Sequence, residues 1–231
     1  MGSTNSKGVS RSGLANAVID ACRAMNDIGI NQGKAGNVSV RFGGGMLISP
    51  SGIDYDALTP AKIVAVDDKG DSKGSWRPSS EWRMHHDIYR TREDANAVVH
   101  THSIHCTALS CLRRSIPAFH YMIAVAGGSN IRCASYATFG TQKLSDNMLK
   151  ALKDRKACLL ANHGLICFGK SLDDAMALAV EVETLAAQYL AALNVGEPVL
   201  LTKRQMSDAM EAFRSYGAQP ESVSRAGKAK K

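Results

Sequence analysis

The run Val98-Val99-His100-Thr101-His102 ends a short apolar stretch in two histidines separated by one residue. On a β-strand, side chains at i and i+2 leave the same face. Both imidazoles would then point one way and could close on a single ion, with Zn–N bonds of about 2.0–2.1 Å. An isolated H-x-H is equally two polar residues at a strand end, so it needs partners. A catalytic zinc site takes three protein ligands and keeps one position open. Of the seven histidines, His163 is the natural third, because it follows the buried-looking run Ala157-Cys158-Leu159-Leu160 and precedes Gly164, a residue expected to leave room for an ion. His85 and His86 are neighbours on a helix and face different directions, so they are expected at the surface or an interface. His105 lies one turn on from His102. His120 sits in an apolar stretch, where a satisfied core histidine is expected.

Glu81 is the candidate acid/base. A helix-start residue chosen for the dipole is the alternative. What favours chemistry is the run Pro78-Ser79-Ser80-Glu81-Trp82. Two hydroxyls and several N–H donors at a helix N-terminus make an anion site, and a carboxylate beside an anion and a metal is costly unless it has a task. Gly36-Asn37 and Ser51-Gly52 offer further N–H, amide and hydroxyl donors. With Ser79 and Ser80 they can hold a phosphate without any lysine, although each pair alone is an everyday turn sequence. Lys34 is read as a loop residue.

The elements that must position these groups follow from periodicity. Apolar residues at 14, 18, 22 and 25 predict a helix from Ser12 to Gly29. Val38–Arg41 and Met46–Ser49, joined through Phe42-Gly43-Gly44-Gly45, predict a β-hairpin. Thr59-Pro60 suits a short helical turn with proline first, and Ile63–Val66 is a strand. Ser79-Ser80-Glu81 is expected to cap and open a helix to about Thr91. The strand 97–102 follows, then a helix from Ser103 to Leu112. Residues 116–125 and 131–135 are expected to be mainly extended. A helix over 141–153 precedes strands at 157–160 and 165–168. Ser171-x-x-Asp174 opens a long helix to about Leu193, and a last helix spans Lys203 to Ser215. The pattern predicts one α/β domain with α+β-like layering: a mostly antiparallel central sheet flanked by helices. Residues 1–12 and the basic stretch 218–231 are expected to be flexible ends around a domain of residues 13–217.

Composition removes other classes. With 231 residues, 45% of them apolar and 21% charged, the chain has ordinary globular balance. The net charge is +7, but Lys7, Arg11, Arg225, Lys228, Lys230 and Lys231 carry nearly all of it. No basic stripe is left on the folded part for nucleic acid. No run approaches 18 uncharged apolar residues, so no membrane span is expected, and the first residues lack the apolar centre of a signal peptide. Six cysteines show no C-x-x-C pair and lie mostly in apolar runs. Buried thiols in a reducing, cytoplasmic setting fit this better than disulfides.

The stretches NQGKAGNVSVR (31–41), MLISPSGI (46–53), PSSEWR (78–83), DANAVVHTHSIHCTA (94–108), IPAFHYMIAVAGG (116–128), YATFGT (136–141) and NHGLI (162–166) together resemble the class II aldolase/adducin family over residues 14–217. The resemblance implies that fold and a sugar-phosphate aldolase. His100, His102 and His163 match its zinc ligands. Glu81 matches an acid/base that also approaches the metal, and Gly36, Asn37, Ser51, Gly52, Ser79 and Ser80 match its phosphate cradle. Ser51 replaces a more usual threonine and keeps the hydroxyl. Tyr121 matches a tyrosine that reaches a neighbouring subunit's active site, and Phe139 and Tyr216 match positions lining the aldehyde end. A homotetramer with sites between subunits and one Zn(2+) per subunit is implied. So is cleavage of a ketose 1-phosphate to dihydroxyacetone phosphate and a small aldehyde. Substrates of this kind are L-fuculose 1-phosphate, a 5-deoxypentulose 1-phosphate or 5-methylthioribulose 1-phosphate. An L-ribulose-5-phosphate 4-epimerase-like activity is the alternative on the same fold, disfavoured because Tyr121-Met122 follow His120 where those relatives tend to carry aspartate. A non-catalytic adducin-like module would have lost the ligands that survive here.

Overall fold

The computed structural model describes residues 10–215. Its centre is a seven-stranded sheet in the order β3-β2-β1-β4-β7-β6-β5. The strands are β1 (Asn37–Phe42), β2 (Gly45–Ile48), β3 (Val64–Val66), β4 (Ala97–Thr101), β5 (Cys133–Ala134), β6 (Ala157–Leu160) and β7 (Gly164–Gly169). Only β5 and β6 run parallel; every other pairing is antiparallel. The expected mostly antiparallel sheet and flanking helices are therefore present.

Side chains alternate across the sheet and feed two cores. Ala97, Val99, Leu165, Cys167 and Leu159 pack with α1 (Arg11–Asp27) and α5 (Leu172–Val195) on one face. Val98, Ile166, Phe168, Cys158 and Leu160 pack with α2 (Trp82–Thr91) and α4 (Gln142–Ala151) on the other. Helix α3 (Ile104–Cys111) lies against α5, and α6 (Lys203–Ser215) against a 3-10 helix at Tyr121–Ala126. By length and composition α5 is apolar enough to cross a membrane. In this fold one face of it packs into the core, with Ala175, Leu178, Ala179, Val182, Leu185, Ala186 and Tyr189 buried.

The structure corrects four local expectations. Helix α1 starts at Arg11, capped by the Ser10 hydroxyl, so residues 10–12 belong to the folded part. Arg11 also donates to the Ile63 carbonyl at 2.9 Å. Residues 121–126 wind into a 3-10 helix instead of extending, because the His120 ring accepts from the Met122 N–H and caps the turn. Helix α2 opens at Trp82 with Glu81 as its N-cap residue, and neither serine caps it. Ser79 Oγ accepts instead from the Glu81 N–H. Finally, His85 is fully buried on the inner face of α2 and is not a surface residue. Residues 1–9 and 216–231, which include most of the expected flexible ends 1–12 and 218–231 and Tyr216, lie outside the described residues.

Candidate active site

Strand ends gather the site at one end of the sheet's central strands. β1 and β7 begin there with Asn37 and Gly164, and β2, β4 and β6 end there. His100, next to the last residue of β4, points to the α2 face with Val98, and His102 follows on the same parity. His163 sits in the three-residue connection between β6 and β7. That tight turn needs a left-handed residue, which Asn162 supplies at φ 54°. Ser110 of α3 pins it, accepting from the His163 and Asn162 N–H groups. Gly164 serves a purpose other than room for an ion. A Cβ there would run into the Thr101 carbonyl oxygen and crowd the His102 ring, so glycine is what lets β7 lie against the end of β4.

The three imidazoles converge. Their ring centroids are 4.8–5.0 Å apart, each ring nearly perpendicular to the others. His100 Nε2 and His102 Nε2 are 3.1 Å apart. Glu81 completes the group, with Oε2 3.1 Å from His100 Nε2 and Oε1 3.1 Å from His163 Nε2. The ligand atoms of all four residues lie within 4.8 Å of one another. Two tetrahedral Zn–N bonds of about 2.0–2.1 Å would hold their nitrogens ~3.3 Å apart, close to the observed histidine spacing. Glu81 Oε1 is buried without a well-formed hydrogen bond, an arrangement that costs about 1–3 kcal/mol unless a cation or donor faces it. The donor set and its geometry fit a divalent cation.

Electrostatics point the same way. Burial alone would raise the Glu81 carboxyl, but the His100 charge and hydrogen bond, with His163 behind them, outweigh it and hold the group well below the usual carboxylate range. Burial, with His100 and His163 nearby, pushes His102 down to about 4, so its lone pair is free near neutrality. Burial opposes charge on His100 too, but Glu81 and the Leu165 carbonyl more than offset this and raise it.

The remaining candidates fall into two groups. A cleft of about 280 Å³ beside the ligands is lined by Ser80, Glu81, His102, His163 and Phe139, together with Tyr136 and Asn162, which the sequence reading did not single out. That volume is at the small end of the usual about 300–1,000 Å³, so it suits a small substrate. Arg83 of α2 donates to the Gly140 carbonyl and ties the Phe139 loop to the helix below Glu81. The Ser51-Gly52 and Ser79-Ser80 turns are laced together by Ser51 N–H to the Arg77 carbonyl and Ser79 N–H to the Ser49 carbonyl. Gly36 is packed so closely that a Cβ would lie 2.5 Å from the His100 carbonyl oxygen. Asn37 is buried with its amide already engaged, Nδ2 to Glu81 and Oδ1 to His85. Tyr121 does not line the cleft. It is 53% exposed and stacks on Phe213 of α6. His105 pairs with Glu183 and takes no part in the cluster. His120 is a half-buried turn cap, not a core residue. A larger groove, about 620 Å³ beside α5, holds no comparable ligand group among the described residues.

The profile of the Class II Aldolase and Adducin N-terminal domain matches residues 16–190. The chain belongs to that family. It is a lyase of the aldolase type. It is 53% identical over 208 residues to the L-fuculose phosphate aldolase of Escherichia coli strain K12, covering 90% of this chain and 97% of the relative. It is 52% identical, over 90% of this chain and 94% of the relative, to the 5-methylthioribulose-1-phosphate/5-deoxyribulose-1-phosphate aldolase of Rhodospirillum rubrum. A solved L-fuculose 1-phosphate aldolase superposes with a TM-score of 0.86 at 40% identity, covering 90% of this chain and 99% of that one. The fold is that of the class II aldolases.

Proposed function

We propose that this aldolase cleaves the C3–C4 bond of a ketose 1-phosphate, giving dihydroxyacetone phosphate and a small aldehyde, with zinc as its metal. The convergence of His100, His102, His163 and Glu81 beside a small cleft carries the reading. The three imidazoles would hold the ion. A divalent ion there supplies Lewis acidity toward the negative charge that spreads over the C2 and C3 oxygens as the bond breaks.

The chain's own groups handle the phosphate and the protons. Ser80, exposed at the cleft, and the adjoining Ser51, Gly52 and Ser79 turns offer donors for the phosphate, and Gly36 and Asn37 would close the cradle through their backbone, since the Asn37 amide is already engaged. Binding there, remote from the reacting bond, holds the sugar in register. Cleavage takes one proton from the C4 hydroxyl and delivers one to C3. Glu81, facing the cleft, delivers the second; it rests as the carboxylate, so it first takes up that proton from solvent. Tyr121, exposed away from its own cleft, reaches a neighbouring subunit's site within a homotetramer and relays the first proton to solvent through its hydroxyl, so the protons taken up and released balance. Phe139 packs at the aldehyde end. Tyr216 would line the same end. The six free cysteines fit a cytoplasmic protein.

One methyl or hydroxyl in an apolar pocket discriminates by only about 1–3 kcal/mol, so several aldehydes should be accepted. A panel of L-fuculose, 5-deoxyribulose and 5-methylthioribulose 1-phosphates, scored by kcat/KM with coupled detection of dihydroxyacetone phosphate, tests the reading. Release of dihydroxyacetone phosphate from at least one supports it; turnover of none would reject it.

A further inference from the structure

Beneath the ligand cluster lies a second row of polar groups. Residues 81, 85 and 89 share one face of the α2 segment, about 6 Å apart at 1.5 Å per residue. Residues 37, 39 and 41 share one face of β1, about 6.8 Å apart at 3.4 Å per residue. The two spacings nearly match, so the rows meet group for group. Asn37 Nδ2 is 3.0 Å from Glu81 Oε2, and His85 Nε2 is 2.6 Å from Asn37 Oδ1. Ser39 Oγ is 2.7 Å from His85 Nδ1 and 2.8 Å from Tyr89 Oη. Arg41 closes the row on the carbonyls of Tyr89, Arg92 and Ala95. Asn37, Ser39, Glu81, His85 and Tyr89 are all buried.

Each link has only one workable direction. A carboxylate only accepts, so the amide of Asn37 must turn its NH2 to Glu81 and its carbonyl to His85. His85 must then donate from Nε2. A neutral ring carries one N–H, so Nδ1 accepts, and the Ser39 hydroxyl donates to it. Ser39 in turn accepts from Tyr89. Every other contact of the Glu81 carboxylate in this cluster is an imidazole Nε2, which a metal would claim. Asn37 is thus the one anchor of Glu81 that metal binding leaves in place.

We propose that His85 is a positioning residue. Held as the neutral Nε2–H tautomer by Ser39 and Tyr89, it locks the Asn37 amide so that its NH2 steers the Glu81 carboxylate. Removing that lock lets Asn37 rotate and present its carbonyl to the carboxylate, which repels it. Burial, with the His100 charge, pushes His85 down to about 3, in keeping with a ring that stays neutral. The consequence for turnover rests on the aldolase reading; the tautomer and the amide orientation do not.

The test uses the full-length, zinc-loaded protein. Long-range ¹⁵N NMR should show His85 neutral with its proton on Nε2 between pH 6 and 8. His85→Leu should lower kcat about 10–100-fold, as loss of an outer partner of a metal-site group does, with KM and bound zinc nearly unchanged. His85→Gln, whose amide reaches the Nε2 position, should recover most of kcat. His85→Asn, which reaches only the Nδ1 position, should not. The Gln and Asn comparison stands even where the leucine variant does not fold. An Nδ1–H tautomer or an imidazolium would overturn the proposal, as would equal kcat in the Gln and Asn variants. If no ketose 1-phosphate is turned over, the NMR result alone decides the orientation, separately from the failed substrate reading.

Discussion

His100 turns Nδ1 to the Leu165 carbonyl at 2.8 Å, across the β4–β7 pairing. The carbonyl can only accept, so Nδ1 carries a proton and Nε2, turned to His102 and Glu81, is the nitrogen left for an ion to take. Such a backbone partner sets tautomer and ring direction together. His100→Ala should therefore lower zinc affinity at least as much as the loss of an outer partner, about 10–100-fold or more, while β4 stays paired. Isothermal titration with zinc and a thermal melt check both halves. Unchanged affinity would remove His100 from the ligand set.

Glu81→Gln should keep the fold and the bound zinc and lose about 10²–10⁴-fold in kcat, the usual worth of a positioned acid/base. Glutamine is the same size and can still accept from Asn37 Nδ2. Near-normal turnover, measured by dihydroxyacetone phosphate release, would take Glu81 out of the mechanism.

Ser80 lines the cleft and is exposed, so its hydroxyl is free to meet a phosphate. A hydrogen bond to a charged group is worth about 1.5–3 kcal/mol, so Ser80→Ala should raise KM about 10–100-fold. Zinc content should not change. An unaltered KM for phosphorylated ketoses would count against the cradle.

The proposed mechanism would have Tyr121 and Glu81 act on one substrate from two subunits. Tyr121→Phe and Glu81→Gln proteins should each be nearly inactive alone. Mixed by co-expression, they form hybrid oligomers with some fully intact sites, and activity should return. No gain above the sum of the two would mean that Tyr121 serves its own chain or none.

His85 also sets an acid limit on stability. Its folded value is pushed down to about 3 by burial, then by His100, against the pull of Glu81. Unfolded, it titrates near 6.5. Between those values the unfolded chain binds the proton and the folded chain does not. Stability therefore falls as pH drops through this window, by up to about 1.4 kcal/mol per pH unit from this group. Glu81, His100 and Tyr89 are the other titratable groups around the ring. Urea unfolding from pH 4 to 7 should show a shallower slope for His85→Gln than for the wild type. Parallel slopes would show that His85 is not neutral in the fold.

The ligand cluster was legible because strand parity and strand ends are local properties. An alternating run that stops at His100 and His102, and a buried run that stops at His163, say where three side chains point. Glu81 stood out through its hydroxyl neighbours. The row beneath was not legible. Ser39 and Arg41 alternate with Val38 and Val40, a pattern that reads as a solvent face, and Asn37 reads as a phosphate donor; only tertiary packing shows α2 covering the row. His85 beside His86 reads as a surface pair for the same reason, since burial of one face of α2 depends on a strand some 45 residues earlier. The turn at 121–126 depends on the His120 ring capping it, which its apolar sequence conceals.

Turnover should follow the metal. Zinc per chain and dihydroxyacetone phosphate release should be measured together for the wild type before chelation, after exhaustive chelation and after zinc is restored. One zinc per chain, activity lost with it and regained with it, is the expected result. Full activity in chelated protein would contradict it.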